Sequence, residues 1–204
     1  NGLGKSIQEI TKPRTEGEKK YDTATFYSIS NCQEGLARVT LGNFLIKRVV
    51  YEIQEELPNI KNFGTLSPIP GFRDWYSFLD KEKIKNILGD ASESISFLRS
   101  SDLKIGDTRI LANKNQITKL VLHYLMNEKN KKGLPINDVC RFHLGNGAII
   151  DDIVINANIS QVGFGRSFGV MVNYLYELKS IEKNHEDYVN FMKIIISNQL
   201  KKKI

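Results

Sequence analysis

The chain is short of sulfur and of imidazole. Its 204 residues include 2 cysteines, Cys32 and Cys140, and 3 histidines, His123, His143 and His185. None of them stands at the short spacings that build a zinc site, so no structural or catalytic metal is expected. Two distant thiols with no secretory signal point to a reducing compartment, and nothing in the sequence implies that they pair. Apolar runs long enough to cross a bilayer are missing, as are internal repeats and low-complexity tracts beyond the terminal lysines. The first residue is Asn1 rather than a methionine, and a strand pattern follows closely. The sequence therefore reads as a piece of a longer protein.

What is present is ordinary for one globular core: 41% hydrophobic and 25% charged residues in a chain too short for two large domains. Lysine and arginine total 29 against 23 acids, a net charge of +6. That balance suits an anionic ligand of some kind. Much of the excess sits in Lys129-Asn130-Lys131-Lys132 and in Lys201-Lys202-Lys203, which are most simply a solvated turn and a solvated end. Aromatic and basic residues do not interleave as they do on single-strand binding surfaces, so neither nucleic acid nor membrane is expected as a partner.

Thr23 to Ser30 is β-branched and aromatic, which predicts a strand. Leu41, Leu45, Val49, Ile53 and Leu57 recur every fourth residue and predict a helix stopped at Pro58. Phe63 to Leu66 reads as a short strand, made rigid at its end by Pro68 and Pro70. Helical patches follow at Phe72 to Leu79, Lys81 to Leu88, Ser92 to Leu98 and Gln116 to Met126, with little pattern from Leu103 to Ala112. Val139 to Leu144 and Ala148 to Ile155 read as two strands of a hairpin around Gly145-Asn146-Gly147. Gln161 to Leu178 and Asn184 to Leu200 read as closing helices. Strands among long helices predict an α/β (α+β) fold, a mixed sheet flanked by helices.

The segment from Phe26 through the glycine-bounded loop Gly35 to Gly42 and into Asn43-Phe44-Leu45 is a strand, a loop and a helix start. Free backbone N–H groups and the helix dipole make such a joint a receptor for phosphate. The signal is weak alone. It gains weight beside Thr65-Leu66-Ser67-Pro68-Ile69-Pro70-Gly71-Phe72, Phe142-His143-Leu144-Gly145-Asn146-Gly147-Ala148 and Met171-Val172-Asn173-Tyr174-Leu175-Tyr176.

Taken in that order, these blocks resemble the malonyl-CoA decarboxylase family, from about residue 5 to about residue 178. The stretch from Asp80 to Val139 matches only in helical character. The resemblance implies a catalytic domain of acyl-CoA N-acyltransferase-like (GNAT-like) fold, incomplete at its N-terminal side. It also implies a preceding helical domain that aids homo-oligomerisation, which lies outside residues 1–204. The implied substrate is malonyl-CoA, converted to acetyl-CoA and carbon dioxide in fatty acid metabolism. No separate cofactor is implied, because the thioester itself accepts the electrons released.

The resemblance also assigns roles. His143 matches the family's catalytic histidine, the proton donor, although a lone histidine on a strand is most simply a core residue. Ser67 matches the catalytic serine, where local chemistry alone suggests a turn or cap. Tyr176 and Ser28 match further residues of the same site, and both have plain packing alternatives. Ala37, Arg38, Val39, Thr40, Leu41, Gly42 and Asn43 match the loop whose amides cradle the CoA pyrophosphate, with Lys47 and Arg48 as added charge or a solvated face. The family usually carries glutamate where Thr40 stands, glycine at Arg38 and often aspartate at Asn158. A hydroxyl cannot support a charged imidazole as a carboxylate does, so impaired turnover is one expectation. An acyl-CoA acyltransferase and a non-catalytic acyl-CoA-binding remnant stay open beside the decarboxylase. Family members occur in the mitochondrial matrix, the cytoplasm and the peroxisome, and Lys202-Lys203-Ile204 is not the peroxisomal Ser-Lys-Leu.

Overall fold

Period-two alternation along Asn62–Pro68 sends Phe63, Thr65 and Ser67 to one side of a strand and Gly64 and Leu66 to the other, and this strand organises the molecule. The computed structural model describes residues 2–12, 21–27 and 42–203. The strands are β1 (Thr23–Phe26), β2 (Asn62–Pro68), β3 (Ile149–Val154) and β4 (Met171–Tyr176). They form one mixed sheet in the order β1-β2-β4-β3, parallel between β1 and β2 and antiparallel elsewhere. The helices are α1 (Ile7–Thr11), α2 (Gly42–Glu56), α3 (Phe72–Phe78), α4 (Lys81–Leu88), α5 (Thr108–Ala112), α6 (Lys114–Met126), α7 (Asp138–Gly145), α8 (Gln161–Ser167), α9 (Ile181–Phe191) and α10 (Asn198–Lys201). A 3₁₀ segment, Gly89–Arg99, lies between α4 and α5. The expected mixed sheet with flanking helices is what forms.

The two sheet faces have different partners. On one, Phe63, Val172, Tyr174, Tyr176, Ile150 and Ile153 join the main core with side chains of α2, α6, α7 and α9. Each fully buried aliphatic or aromatic side chain there contributes roughly 2 kcal/mol of burial energy. On the other face, Leu66, Val154, Ala157 and Met171 form a smaller cluster covered by Ile7 and Ile10 of α1. Gly64 has no side chain because Leu3 and the Tyr174 carbonyl press on it, at 2.5 and 2.8 Å from where a Cβ would stand. The outer edge of β3 is covered by the C-terminal segment: Ile150 N donates to Ile195 O at 3.0 Å and Ser197 N to Ile150 O at 2.9 Å.

Three expected elements differ. Val139 to Leu144 is not a strand but the body of α7, so there is no hairpin around Gly145-Asn146-Gly147. Asn137 accepts from Cys140 N at 2.8 Å as an N-cap, and that start outweighs the alternation. Gln161 to Leu178 is not one helix: α8 ends at Ser167, Phe168 and Gly169 take left-handed backbone, and β4 follows. Asn184 to Leu200 is likewise broken, with Met192 in left-handed backbone ending α9 before α10. Of the expected strand from Thr23 to Ser30, Thr23–Phe26 forms, and Ser28 to Ser30 lie outside the described residues.

Candidate active site

β2 and β4 pair so that Ser67 stands opposite Val172, Thr65 opposite Tyr174, and Phe63 opposite Tyr176. Ser67 and Tyr176 therefore share a face, displaced along the strands, with the Thr65–Tyr174 pair between them. α7 crosses that face and inserts His143. The Ser67 Oγ is 2.9 Å from His143 Nε2, and the Tyr176 hydroxyl is 2.7 Å from His143 Nδ1. The imidazole lies on the Tyr174 ring, centroids 4.3 Å apart and planes 22° from parallel. Ser67 Oγ donates onward to Thr65 Oγ1 at 2.9 Å. Residues 76 positions apart in sequence thus meet directly.

Two tautomers of the ring fit these distances. In the one that leaves the Ser67 proton for Thr65, the serine oxygen accepts from His143 Nε2–H. Nδ1 is then the acceptor, and the Tyr176 hydroxyl donates to it. The chain of bonds runs Tyr176 to His143 to Ser67 to Thr65. Burial agrees with a neutral ring: Ser67 is 5% and His143 2% exposed. Desolvation pushes the imidazole pKa down to about 3, and burial pushes the Tyr176 phenol well above its ordinary value.

Local sequence explains why these side chains hold their places. Gly147 takes φ +78°, and a Cβ there would lie 2.0 Å from Ile181 O, so the turn from α7 into β3 requires glycine. Ala148 N donates to His143 O at 3.1 Å, closing that turn against the histidine's own backbone. Beyond Ser67, Pro70 O accepts from the Tyr124 hydroxyl at 2.9 Å and from Asn137 Nδ2 at 3.0 Å. Asn137 also caps α7, so one buried amide fastens the serine's loop to the histidine's helix.

Ser67, His143 and Tyr176 are brought together; Tyr176 arrives on a strand rather than the expected helix, and His143 on a helix rather than a strand. Ser28, Ala37, Arg38, Val39, Thr40 and Leu41 lie outside the described residues. Gly42 and Asn43 open α2, which packs beside α7. Lys47 Nζ binds Glu182 on α9 at 2.9 Å, and Arg48 Nε binds Glu52 at 2.8 Å, so carboxylates already partner both cations. Asn158 Oδ1 accepts from Ser160 N and Oγ at 3.1 and 2.8 Å, an acceptor role that aspartate would fill equally. Cys140 is a buried free thiol with its pKa pushed up to about 12 by burial, and Cys32 lies outside the described residues. Among the described residues no three histidines, cysteines or acids converge as metal ligands, and no helix is long and apolar enough to cross a membrane.

The sequence reading missed Thr65, Tyr174 and Asn137 as site residues. The first two carry a signal, since each stands two residues from a candidate on the same strand. Asn137 reads as a cap only once α7 is recognised as a helix.

The chain is similar to known proteins over its whole length. The family model for the malonyl-CoA decarboxylase C-terminal domain matches residues 1–204. The mitochondrial malonyl-CoA decarboxylase of Anser anser anser is 35% identical over 221 residues, covering 97% of this chain and 44% of that protein. The one of Rattus norvegicus is 36% identical over 219 residues, covering 98% of this chain and 44% of its own length. The crystal structure of malonyl-CoA decarboxylase from Rhodopseudomonas palustris superposes with a TM-score of 0.83 at 36% identity, over 98% of this chain and 46% of that one. The one from Agrobacterium vitis also gives 0.83, at 33% identity, over 100% of this chain and 51% of that one. This chain therefore spans under half the length of the curated relatives it matches.

Proposed function

The chain belongs to the malonyl-CoA decarboxylase family, and from that membership we propose that it converts malonyl-CoA to acetyl-CoA and carbon dioxide. The observation that carries the reading is the direct Ser67–His143–Tyr176 contact on one sheet face. Loss of carbon dioxide from the malonyl group leaves its electron pair on the thioester as an enolate, so the substrate supplies its own electron sink. What remains for the protein is orientation, stabilisation of the enolate oxygen and delivery of a proton to carbon.

In this reading Ser67 hydrogen-bonds the departing carboxylate or the enolate oxygen, and His143 Nε2–H protonates the carbon. A thioester enolate is basic enough to draw a proton from a neutral imidazole if Nδ1 is reprotonated as Nε2 loses its own. The Tyr176 hydroxyl stands at Nδ1 for that purpose, and solvent returns the tyrosine proton once the product has left. The reading also assigns Ser28 to the site. The amides of Ala37, Arg38, Val39, Thr40, Leu41, Gly42 and Asn43 hold the CoA pyrophosphate ahead of α2. The reaction needs no metal and no separate cofactor.

Residues 1–204 are then part of a catalytic domain, and the full-length protein is a homo-oligomer built with a further helical domain. The curated relatives bear mitochondrial names, which favours the mitochondrial matrix; the bacterial structures keep the cytoplasm as the alternative.

The test is release of labelled carbon dioxide from carboxyl-labelled malonyl-CoA with no acceptor amine present. Labelled gas together with acetyl-CoA supports the reading. Acyl transfer to an added amine selects an acyltransferase instead. CoA binding without turnover selects a binding remnant. Thr40→Glu belongs beside it: absence of any gain in turnover would remove Thr40 as the reason for a slow enzyme.

A further inference from the structure

Thr65 is given no role by the resemblance or by the reaction scheme above, yet among the described residues it ends the chain of hydrogen bonds through the site. Its side chain is fully buried, on the same face of β2 as Ser67, and its Oγ1 accepts the Ser67 proton at 2.9 Å. Its backbone is fixed as well: Thr65 pairs with Tyr174 across the sheet, and Thr65 O accepts from Asn173 Nδ2 at 3.0 Å. Asn173 Nδ2 also reaches Gly4 O at 3.2 Å on the opposite sheet face, so the position is clamped through the sheet.

The consequence concerns where the imidazole proton sits. A serine hydroxyl has one proton to give. Beside His143 it has two destinations, Thr65 Oγ1 and His143 Nε2, at equal distances of 2.9 Å. If the proton goes to Thr65, Nε2 must be the protonated nitrogen and Nδ1 takes the Tyr176 proton. If it goes to Nε2, the ring must carry its proton on Nδ1, facing Tyr176. Thr65 holds the first arrangement, which places a donatable N–H on the nitrogen beside Ser67. Without the threonine hydroxyl, the ring is the one acceptor left to Ser67 among the described residues, and the donor is lost from that side.

We propose that Thr65 is a positioning residue that sets the tautomer of His143 by accepting the Ser67 proton. The proposal deepens the decarboxylase reading for its kinetic consequence. Its structural core, the tautomer, stands apart from that reading.

The experiment uses the whole 204-residue chain, ¹⁵N-labelled on histidine, with long-range ¹H–¹⁵N spectra that identify the protonated ring nitrogen. Wild type should show His143 as the Nε2–H tautomer, Thr65→Val the Nδ1–H tautomer, and Thr65→Ser the wild-type pattern again. In parallel, Thr65→Val should lose on the order of tenfold to a hundredfold in kcat for malonyl-CoA with KM within about twofold, restored by Thr65→Ser. An Nδ1–H ring in wild type, or an unchanged tautomer in a folded Thr65→Val, overturns the proposal. Altered tautomers in a protein that never releases carbon dioxide would uphold the role of Thr65 while removing the decarboxylase reading. Should Thr65→Val fail to fold, Thr65→Cys serves as the second variant: a weak thiol acceptor predicts a mixture of both tautomers, and a pure Nε2–H ring counts against the proposal.

Discussion

At the scale of single residues, the decisive physical fact is a histidine kept neutral by burial and held at both nitrogens. Its folded pKa of about 3 lies below the ordinary 6.5, so between those values the unfolded chain takes up a proton that the folded chain refuses. Stability is complete above pH 6.5 and falls as pH drops toward 3, by roughly 1 kcal/mol per pH unit from this group. The drop in Tm between pH 7 and pH 4.5 should be smaller in His143→Gln than in wild type. Equal drops would show that the imidazole protonates freely in the folded state. The same neutrality bears on the proposed reaction, in which the acid is the N–H of an uncharged ring backed by the Tyr176 hydroxyl. Tyr176→Phe, which keeps the ring packing and removes only that hydroxyl, should lower kcat about tenfold or more with CoA affinity unchanged. Steady-state kinetics beside a direct CoA titration separates the two, and an unchanged kcat would remove the tyrosine from the proton path.

At the scale of elements, α7 and the turn after it are what aim the histidine. Gly147→Ala puts a methyl group against Ile181 O in a backbone region that L residues avoid, and should cost about 2–4 kcal/mol. Urea unfolding measures it, and a loss under about 0.5 kcal/mol would mean the turn can relax. Much of this architecture was legible in advance. β1, β2 and α2 followed from β-branched runs and fourth-residue spacing, and Pro58 marked where α2 stops. The strand reading of α7 follows from Cys140, Phe142 and Leu144 alternating with Arg141 and His143, whereas Asn137 ahead of Asp138 and Gly145 behind are helix boundaries. β4 was misread for the opposite reason. Phe168, Val172 and Tyr176 stand four apart and mimic a helix stripe, while Val170, Val172, Tyr174 and Tyr176 carry the true period of two. Ser67 and His143 were legible only through their flanking strings, since neither residue alone departs from a turn serine and a core histidine. What pairing brings together across the sheet is long-range: the two-residue spacing of Thr65 from Ser67 and of Tyr174 from Tyr176 marks a shared strand face but not the imidazole that meets it.

At the scale of the whole molecule, both ends of the chain are gathered onto one carboxylate. Asp152, beside the β3 irregularity, binds Lys5 Nζ at 2.7 Å and Lys203 Nζ at 2.6 Å. Burial alone would raise its pKa, but the two ammonium groups together hold the carboxyl below its ordinary value. Its contribution is therefore present at neutral pH and is lost as pH falls through that lowered value. Half-exposed lysines make each bond worth about 1 kcal/mol at most, so Asp152→Asn should loosen the termini rather than unfold the chain. Hydrogen exchange should speed up at the amides of α1 and α10 while α6 stays protected. Uniform protection in the variant would mean that Ile7, Ile10 and Leu200 anchor the termini without the ion pairs. With the termini down, α1 covers the rear of the sheet whose front carries Ser67, Thr65 and Tyr176. Surface charge and site chemistry are thus separate matters, and the +6 balance locates nothing by itself.

One comparison bears on all three scales: acetyl-CoA formed from malonyl-CoA by wild type and by His143→Gln, each shown to be folded by its thermal transition. The account predicts steady acetyl-CoA formation by wild type and a loss of about a hundredfold or more in the variant. Equal rates in the two folded proteins would contradict it, because the proton would then reach the carbon without the imidazole.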